Sequence, residues 1–356
     1  MKRNRMDIKA TAKKLSEADR AYYSTGHPVM VDSEYDALKD SLRKEDPEHP
    51  LLSKIGSEPS SSWEKASHTI PMGSQNKVNT EEEFIKWASK FPDDTIYTAQ
   101  PKLDGLSLSL IYEKSEFQCG ITRGDGSVGE DITENVLKMK GLKLNLPGFS
   151  GAIRAEILLP KSSFEKINSI LSDEDQYMNA RNAASGISRR LDGRFCQYLT
   201  IMPYNVEPDE FFTHENFTTP LNEDQKIKLL WNLGLNAPMQ AVGDKNTIPK
   251  AFKKLTEKRT EFPFEIDGMV IKVCSHLIQN KMGSASGRPK AQIAWKFEPP
   301  GAQTIFIKET WDVGRTGVVT PLAHIKPVEI NGSIIRKATL HNVAEIKRLG
   351  IGLVIR

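Results

Sequence analysis

Residues 7–23 place Ile8, Ala12, Leu15, Ala18 and Tyr22 at three- and four-residue spacing, which predicts an amphipathic helix. "STGHP" breaks it. Acidic residues from Asp32 open a second helix whose apolar stripe is Tyr35, Leu38 and Leu42, closed by "EDPEHP". The two form a small helical hairpin. A Ser-rich connector, "SEPSSSWEKAS" at 57–67, follows. Thr80 and Glu83 then fit a capping box ahead of "FIKWASKF". From residue 98 the period drops to two. "LSLSLIY" alternates strictly, "FQCGITR" can pair with it, and "AIRAEILL", "LTIMPYNV", "FEIDGMVIKV" and "AQIAWKF" are further strand-like runs. One of them, 264–273, has a polar break at Asp267-Gly268. Helical patterns at 162–171 and 222–233 lie between strands. After "EPPGAQ" come short β runs, "TIFIKETWDV", "GVVTPLAHIKPVEI" and "SIIRKATL", the start of a small barrel. Segregated helices and strands indicate an α+β chain rather than a βαβ series.

The length of 356 residues suggests two or three domains, and 38% hydrophobic with 27% charged residues is ordinary for a soluble globular protein. No apolar run approaches the roughly 20 residues of a membrane span. "MKRNRMDIKATAKKL" is charged and lacks an apolar signal core, so a cytoplasmic location is expected. Cys119, Cys196 and Cys274 lie far apart with no CxxC pair, which argues against a disulfide framework or a zinc site. The net charge is +3, yet residues 301–356 hold eight Lys/Arg against four Asp/Glu. A basic segment on a near-neutral body hints at a polyanion partner, although such a surplus is as often a solvated face.

"GDGSVG", 124–129, formally matches GxGxxG. "EDITENV" follows, without a second strand to complete a dinucleotide-binding unit, so a tight turn using positive φ is the better reading. The chemistry-bearing residues recur instead at strand ends. Lys102 and Asp104 stand in "KLDG", Arg123 in "TRGDG", Glu156 in "RAEILLP", Lys272 in "DGMVIK" and Lys296 in "IAWKF". With Arg181, these cations and carboxylates could converge on one phosphate, and nearby cations help unprotonate an amine nucleophile. Any one such lysine is usually only an exposed strand residue; the ordered set carries the signal.

The set resembles that of the bacterial-type NAD-dependent DNA ligases, from about residue 18 to 356. The family's adenylated-lysine motif matches "KLDG", and later motifs match "TRGDGSVGEDIT", "RAEILLP", "NARNAASG", "EIDGMVIKV" and "IAWKF". "VGRTGVVTP" and "ATLHN" resemble the start of its OB fold. The resemblance implies a helical NMN-binding domain (1–63), a nucleotidyltransferase domain of ATP-grasp-like, ligase-adenylation type (64–300) and an incomplete OB fold (301–356). It implies that Lys102 attacks NAD, releases NMN and forms lysyl-AMP. AMP then passes to the 5′-phosphate of a DNA nick, and the 3′-hydroxyl seals it. Tyr22, Tyr23, Asp32, Tyr35 and Asp36 match NMN-recognising positions, and tyrosine faces suit a flat nicotinamide cation. Gln100, Ser74 and Gln75 match adenosine-side positions. Asp104, Arg123 and Glu156 match groups around the ribose and a hydrated Mg²⁺. Arg181, Lys272 and Lys296 match phosphate and nucleotide contacts, and Arg189 and Arg315 are candidates for DNA phosphates.

Some residues depart from the family pattern. Gln100 stands where the family usually has Glu, and Lys290 where it usually has Arg. The family's four-cysteine zinc module and helix–hairpin–helix repeats are not found. The expectation is therefore that a second chain completes the OB fold and supplies those modules for nicked double-stranded DNA. Two alternatives stay open: an ATP-dependent ligase or capping-type transferase, and a non-catalytic nick-binding scaffold.

Overall fold

A computed structural model describes residues 8–20, 30, 35, 38–39, 41–43, 46, 49, 51 and 63–350, apart from 173, 211, 213–215, 218, 286, 299–300, 314–318 and 331–332. The chain divides into two compact units, Ala12–Phe297 and a smaller one made of Met1–Thr11 with Glu298–Arg356.

The larger unit is built on two sheets. In the first, Glu116–Thr122, Leu106–Glu113, Gly151–Leu158 and Thr200–Pro208 lie side by side in that order, every neighbour antiparallel. Successive side chains on a strand point to opposite faces, so the "LSLSL" alternation sorts itself. Leu106, Leu108 and Leu110 pair with Ile157, Ala155 and Ile153 on the core face. There they join Ile167, Ala183, Ile187 and Ile227 from three covering helices. Ser107 and Ser109 pair with Glu156 and Arg154 on the other face. One sheet therefore carries a dry side and a polar side.

The second sheet runs Asn76–Val78, Gln292–Lys296, Ile266–Val273, Tyr97–Leu103, Ala241–Gly243. Its apolar face presents Tyr97, Met269, Ile271, Ile293 and Trp295 to helices Glu81–Ala88 and Thr247–Glu257. Trp295 is stacked between Phe84 at 5.2 Å and Phe252 at 4.2 Å. Truncating a buried aromatic of this kind costs about 3–5 kcal/mol. The opposite face carries Gln100 and Lys102 on one strand, Lys272 on the next, and Gln292 and Lys296 on the third. The polar faces of the two sheets both line one cavity of about 500 Å³.

The pairing of "FQCGITR" with "LSLSLIY" is observed, as are the strands at 152–158, 200–206, 266–273 and 292–296. Thr80 caps its helix by accepting from Glu83 N at 3.3 Å. The reciprocal half slips by one residue, because Glu83 accepts from Asn79 N rather than from Thr80. "GDGSVG" is a tight turn. Gly124 and Gly126 have φ of 57° and 99°, and Asp125 accepts from the Ser127 and Val128 amides. Helix Ala180–Ser188 gives no clear sequence signal, because its buried stripe is largely alanine, too weakly apolar to mark a period. Helix Thr247–Glu257 is a second one that the sequence reading misses, although Ile248, Ala251, Phe252 and Leu255 recur at three- and four-residue spacing and pack on the second sheet.

In the smaller unit, Phe306–Val313, Val319–Ile330 and Ser333–Thr339 form an antiparallel meander. Helix Val343–Leu349, capped by Asn342, follows it. Ala323, Leu340 and Ile346 make its small core. Among the described residues, no helix is long and apolar enough to cross a membrane.

Candidate active site

The Ile266–Val273 strand lies between the strands of Lys102 and Lys296, and Gly268 is the Cα partner of both lysines. Directly opposed residues point to the same face. The two lysines therefore flank a position with no side chain. Ile266 pairs with Leu103 and Gly268 with Lys102, so Asp267 is the extra residue of a β-bulge. The bulge aims its carboxylate between the lysines. Lys102 Nζ lies 3.0 Å from Asp267 Oδ1, and Lys296 Nζ lies 3.5 Å from Oδ2. Burial alone raises the Asp267 carboxyl, but Lys102, Lys296 and Arg181 outweigh it and hold it below its ordinary value.

Glu156 enters from the other sheet and is 8% exposed. It accepts from Ser107 Oγ at 2.9 Å. Burial pushes its carboxyl up to about 7, although the charges of Lys102, Arg181 and Arg123 and the Ser107 hydrogen bond pull it down. Arg181, near the start of helix Ala180–Ser188, donates from Nη1 to Asp104 Oδ1 at 2.6 Å. Lys272 is buried, and its Nζ donates to Glu223 Oε2 at 2.8 Å. Glu223 also lies 3.3 Å from Lys226, which in turn lies 3.0 Å from Glu207. Burial raises the Glu223 carboxyl, yet Lys272 and Lys226 bring it down to about 2.

Of the residues singled out in the sequence, Ser74, Gln75, Gln100, Lys102, Arg123, Glu156, Arg181, Lys272 and Lys296 all line the cavity, and so does Tyr35. Lys39 donates to the Tyr35 hydroxyl at 3.2 Å and stands 5.3 Å from its ring centre. Asp104 meets the site through Arg181. Arg189 does not line the cavity; its Nε pairs with the buried Glu130 at 3.0 Å. Lys290 is exposed, whereas Arg288, two residues earlier, lines the cavity. Tyr22, Tyr23, Asp32, Asp36 and Arg315 lie outside the described residues.

Four residues have no role in the sequence reading. Asp267 is legible only as a polar break in a strand. Ser107 is one serine of an alternating run. Arg154 is 6% exposed and donates to the Ile70 carbonyl. Glu223 is an ordinary first-turn acid until the fold sets it against Lys272. Sequence surrounds Lys102 with cations; the fold adds a carboxylate in contact with its amine. Among the described residues, no group of three or more His, Cys, Asp or Glu could hold a metal directly.

The family model described as NAD-dependent DNA ligase adenylation domain matches residues 60–300, and that for the NAD-dependent DNA ligase OB-fold domain matches 304–354. A DNA ligase of Sorangium cellulosum (strain So ce56) is 34% identical over 368 residues, covering 95% of this chain and 52% of that protein. A DNA ligase of Geobacter metallireducens (strain ATCC 53774 / DSM 7210 / GS-15) is 33% identical over 379 residues, covering 97% and 55%. The chain spans about half the length of the curated relatives it matches. A solved archaeal ATP-dependent RNA ligase, form 2, aligns with a TM-score of 0.38 at 12% identity over 64% of this chain and 48% of that one, too slight a likeness to bear on the site.

Proposed function

This chain belongs to the NAD-dependent DNA ligase family, and from that premise we propose that it carries out NMN-forming lysine adenylation within a DNA-sealing reaction. The observation that carries the proposal is the single cavity gathering Lys102, Glu156, Arg123, Arg181, Lys272 and Lys296. Lys102 Nζ forms a bond to the adenylyl phosphorus of NAD while the bond to the NMN phosphate oxygen breaks. The amine gives up its proton, and NMN leaves with the electron pair. Lys272, Lys296, Arg123 and Arg181 supply fixed positive charge where phosphoryl oxygens gain negative charge, and such preorganised charge dominates catalysis of phosphoryl-type transfers.

Asp267 orients Lys102 between the strands. Glu156, anchored by Ser107, and Asp104, anchored by Arg181, offer oxygens toward the ribose. A magnesium ion there would be held through water rather than directly, since Mg²⁺ keeps much of its hydration shell and, among the described residues, no group of three or more His, Cys, Asp or Glu is placed to hold a metal. When bound, that ion would neutralise phosphate charge. Tyr35 with Tyr22, Tyr23, Asp32 and Asp36 would hold the NMN half, and the presence of Tyr35 in the cavity wall supports this. Residues 1–63, 64–300 and 301–356 would then be NMN-binding, adenylating and OB-like domains.

The second substrate is nicked double-stranded DNA, with Arg189 and Arg315 as phosphate contacts. Arg189 can serve only by loosening its pair with Glu130. A second chain bearing further DNA-clamping modules would raise sealing efficiency, and the setting is cytoplasmic. Incubation with labelled NAD and labelled ATP in parallel tests the proposal. Label from the adenylyl phosphate of NAD, with NMN released, supports it. Label from ATP alone assigns the chain to ATP-dependent chemistry, and label from neither makes it a scaffold. Sealing of a nicked duplex, with and without added partner fractions, tests the need for a second chain.

A further inference from the structure

Lys102 and Lys296 are tethered by the carboxylate of Asp267, which lines the cavity beside them. Lys272, also in the cavity wall, is tethered from behind. Its Nζ donates to Glu223 Oε2 at 2.8 Å, and Glu223 does not line the cavity. The other Glu223 oxygen lies 3.3 Å from Lys226 Nζ, which donates to Glu207 Oε1 at 3.0 Å. Each oxygen of Glu223 thus has a cation of its own, and the carboxylate is fixed against rotation.

The backbone that carries Glu223 is fixed as well. Its N–H donates to the Cys274 carbonyl at 3.0 Å. On either side, the Cys274 thiol donates to Asp224 Oδ1 at 3.2 Å, and Asn222 Oδ1 accepts from His276 N at 3.1 Å. Three consecutive residues at the start of helix Glu223–Asn232 are therefore clipped to the chain just past Lys272. That helix buries Ile227, Leu229 and Leu230 in the core of the first sheet, whereas Lys272 belongs to the second. The Lys272–Glu223 pair joins the two.

Stability alone does not account for this pair. The two side chains are 8% and 6% exposed. An ion pair that deep gives up its hydration for the contact, so well-packed apolar side chains of similar volume hold a fold as well. What the ion pair adds is direction. We propose that Glu223 is a positioning residue, which sets where the Lys272 ammonium stands in the cavity wall, and that lysine adenylation needs the ammonium there. This rests on the lysine-adenylation reading above. Glu223 touches no reacting atom and acts only through Lys272. Placement matters because the ammonium must meet phosphoryl oxygens as they gain charge, and a misplacement of about 1 Å can cost ~100-fold in rate.

The test uses Glu223→Asp, because removing the charge would endanger the fold itself. Aspartate keeps the buried charge paired but shortens the tether by one methylene, about 1.5 Å. Wild type, Glu223→Asp, Lys272→Met and the double variant, each shown to be folded by thermal unfolding, are labelled in single turnovers over a range of NAD concentrations and read by intact mass. In Glu223→Asp the saturating rate falls by about tenfold, while the half-saturating NAD concentration moves by less than about threefold. Lys272→Met slows the reaction by about 100-fold, and adding Glu223→Asp to it costs less than about twofold more. A Glu223→Asp rate within about twofold of wild type, or a tenfold loss that persists undiminished in the Lys272→Met background, overturns the inference and leaves lysine adenylation standing. Absence of an AMP adduct on the wild-type chain overturns the adenylation reading and this inference together.

Discussion

Lys102 and Lys296 share one carboxylate, that of Asp267, from opposite sides of the strand that carries it. The relationship exists because the backbone bulges at Asp267 and because the next residue is Gly268. Gly268 has φ of 156°, and a Cβ there would stand 2.2 Å from the Trp295 carbonyl oxygen. Gly268→Ala therefore has to shift either the bulge or the Lys296 strand. The expected outcome is destabilisation of about 1–3 kcal/mol in urea unfolding. The same variant should lose about 100-fold in the rate of lysine adenylation, since a misplaced nucleophile costs that order. An adenylation rate within a few-fold of wild type would show that the bulge does not position the nucleophile.

Glu156 stores a cost that its removal should release. Its carboxyl is raised to about 7, so the folded state binds the proton more tightly than the unfolded chain does. For a raised carboxyl, the folding penalty starts at the ordinary carboxylate value, grows as pH rises to about 7, and is complete above it. Glu156→Gln, which can still accept from Ser107, should gain roughly 2–3 kcal/mol at pH 8 and nothing at pH 4. It should adenylate poorly at both. Thermal unfolding across that pH range, beside a labelling assay, checks both halves.

Glu223 predicts the reverse. Its carboxyl is depressed to about 2, so its contribution is present above the ordinary carboxylate range and is lost as pH falls through that range toward about 2. Glu223→Gln leaves the Lys272 ammonium buried without its partner. A loss of about 3–5 kcal/mol at pH 7 follows, shrinking as the solution is acidified. Chemical denaturation at several pH values reads it directly, and a pH-independent loss would mean the residue acts only through packing.

Much of this is legible in the sequence, for reasons that differ by residue. The alternation of "LSLSLIY" marks both the strand and which side is dry, because a strand offers only two faces. Lys102, Glu156, Lys272 and Lys296 stand out through their places at strand ends and their order along the chain. Asp267 does not, since a one-residue slip in pairing decides which way a side chain points and leaves no mark beyond a polar break. Glu223 and Arg154 gain their meaning from contacts 49 and 84 residues away. Local pattern carries nothing about such distances. The helix of Arg181 is hidden by its alanines.

The central claim is that the amine of Lys102 takes the adenylyl group from NAD. Intact mass followed by peptide mapping after NAD exposure measures it most directly. The predicted result is one AMP adduct, on Lys102, that disappears in Lys102→Ala. No adduct with NAD, or an adduct that persists in Lys102→Ala, would contradict it.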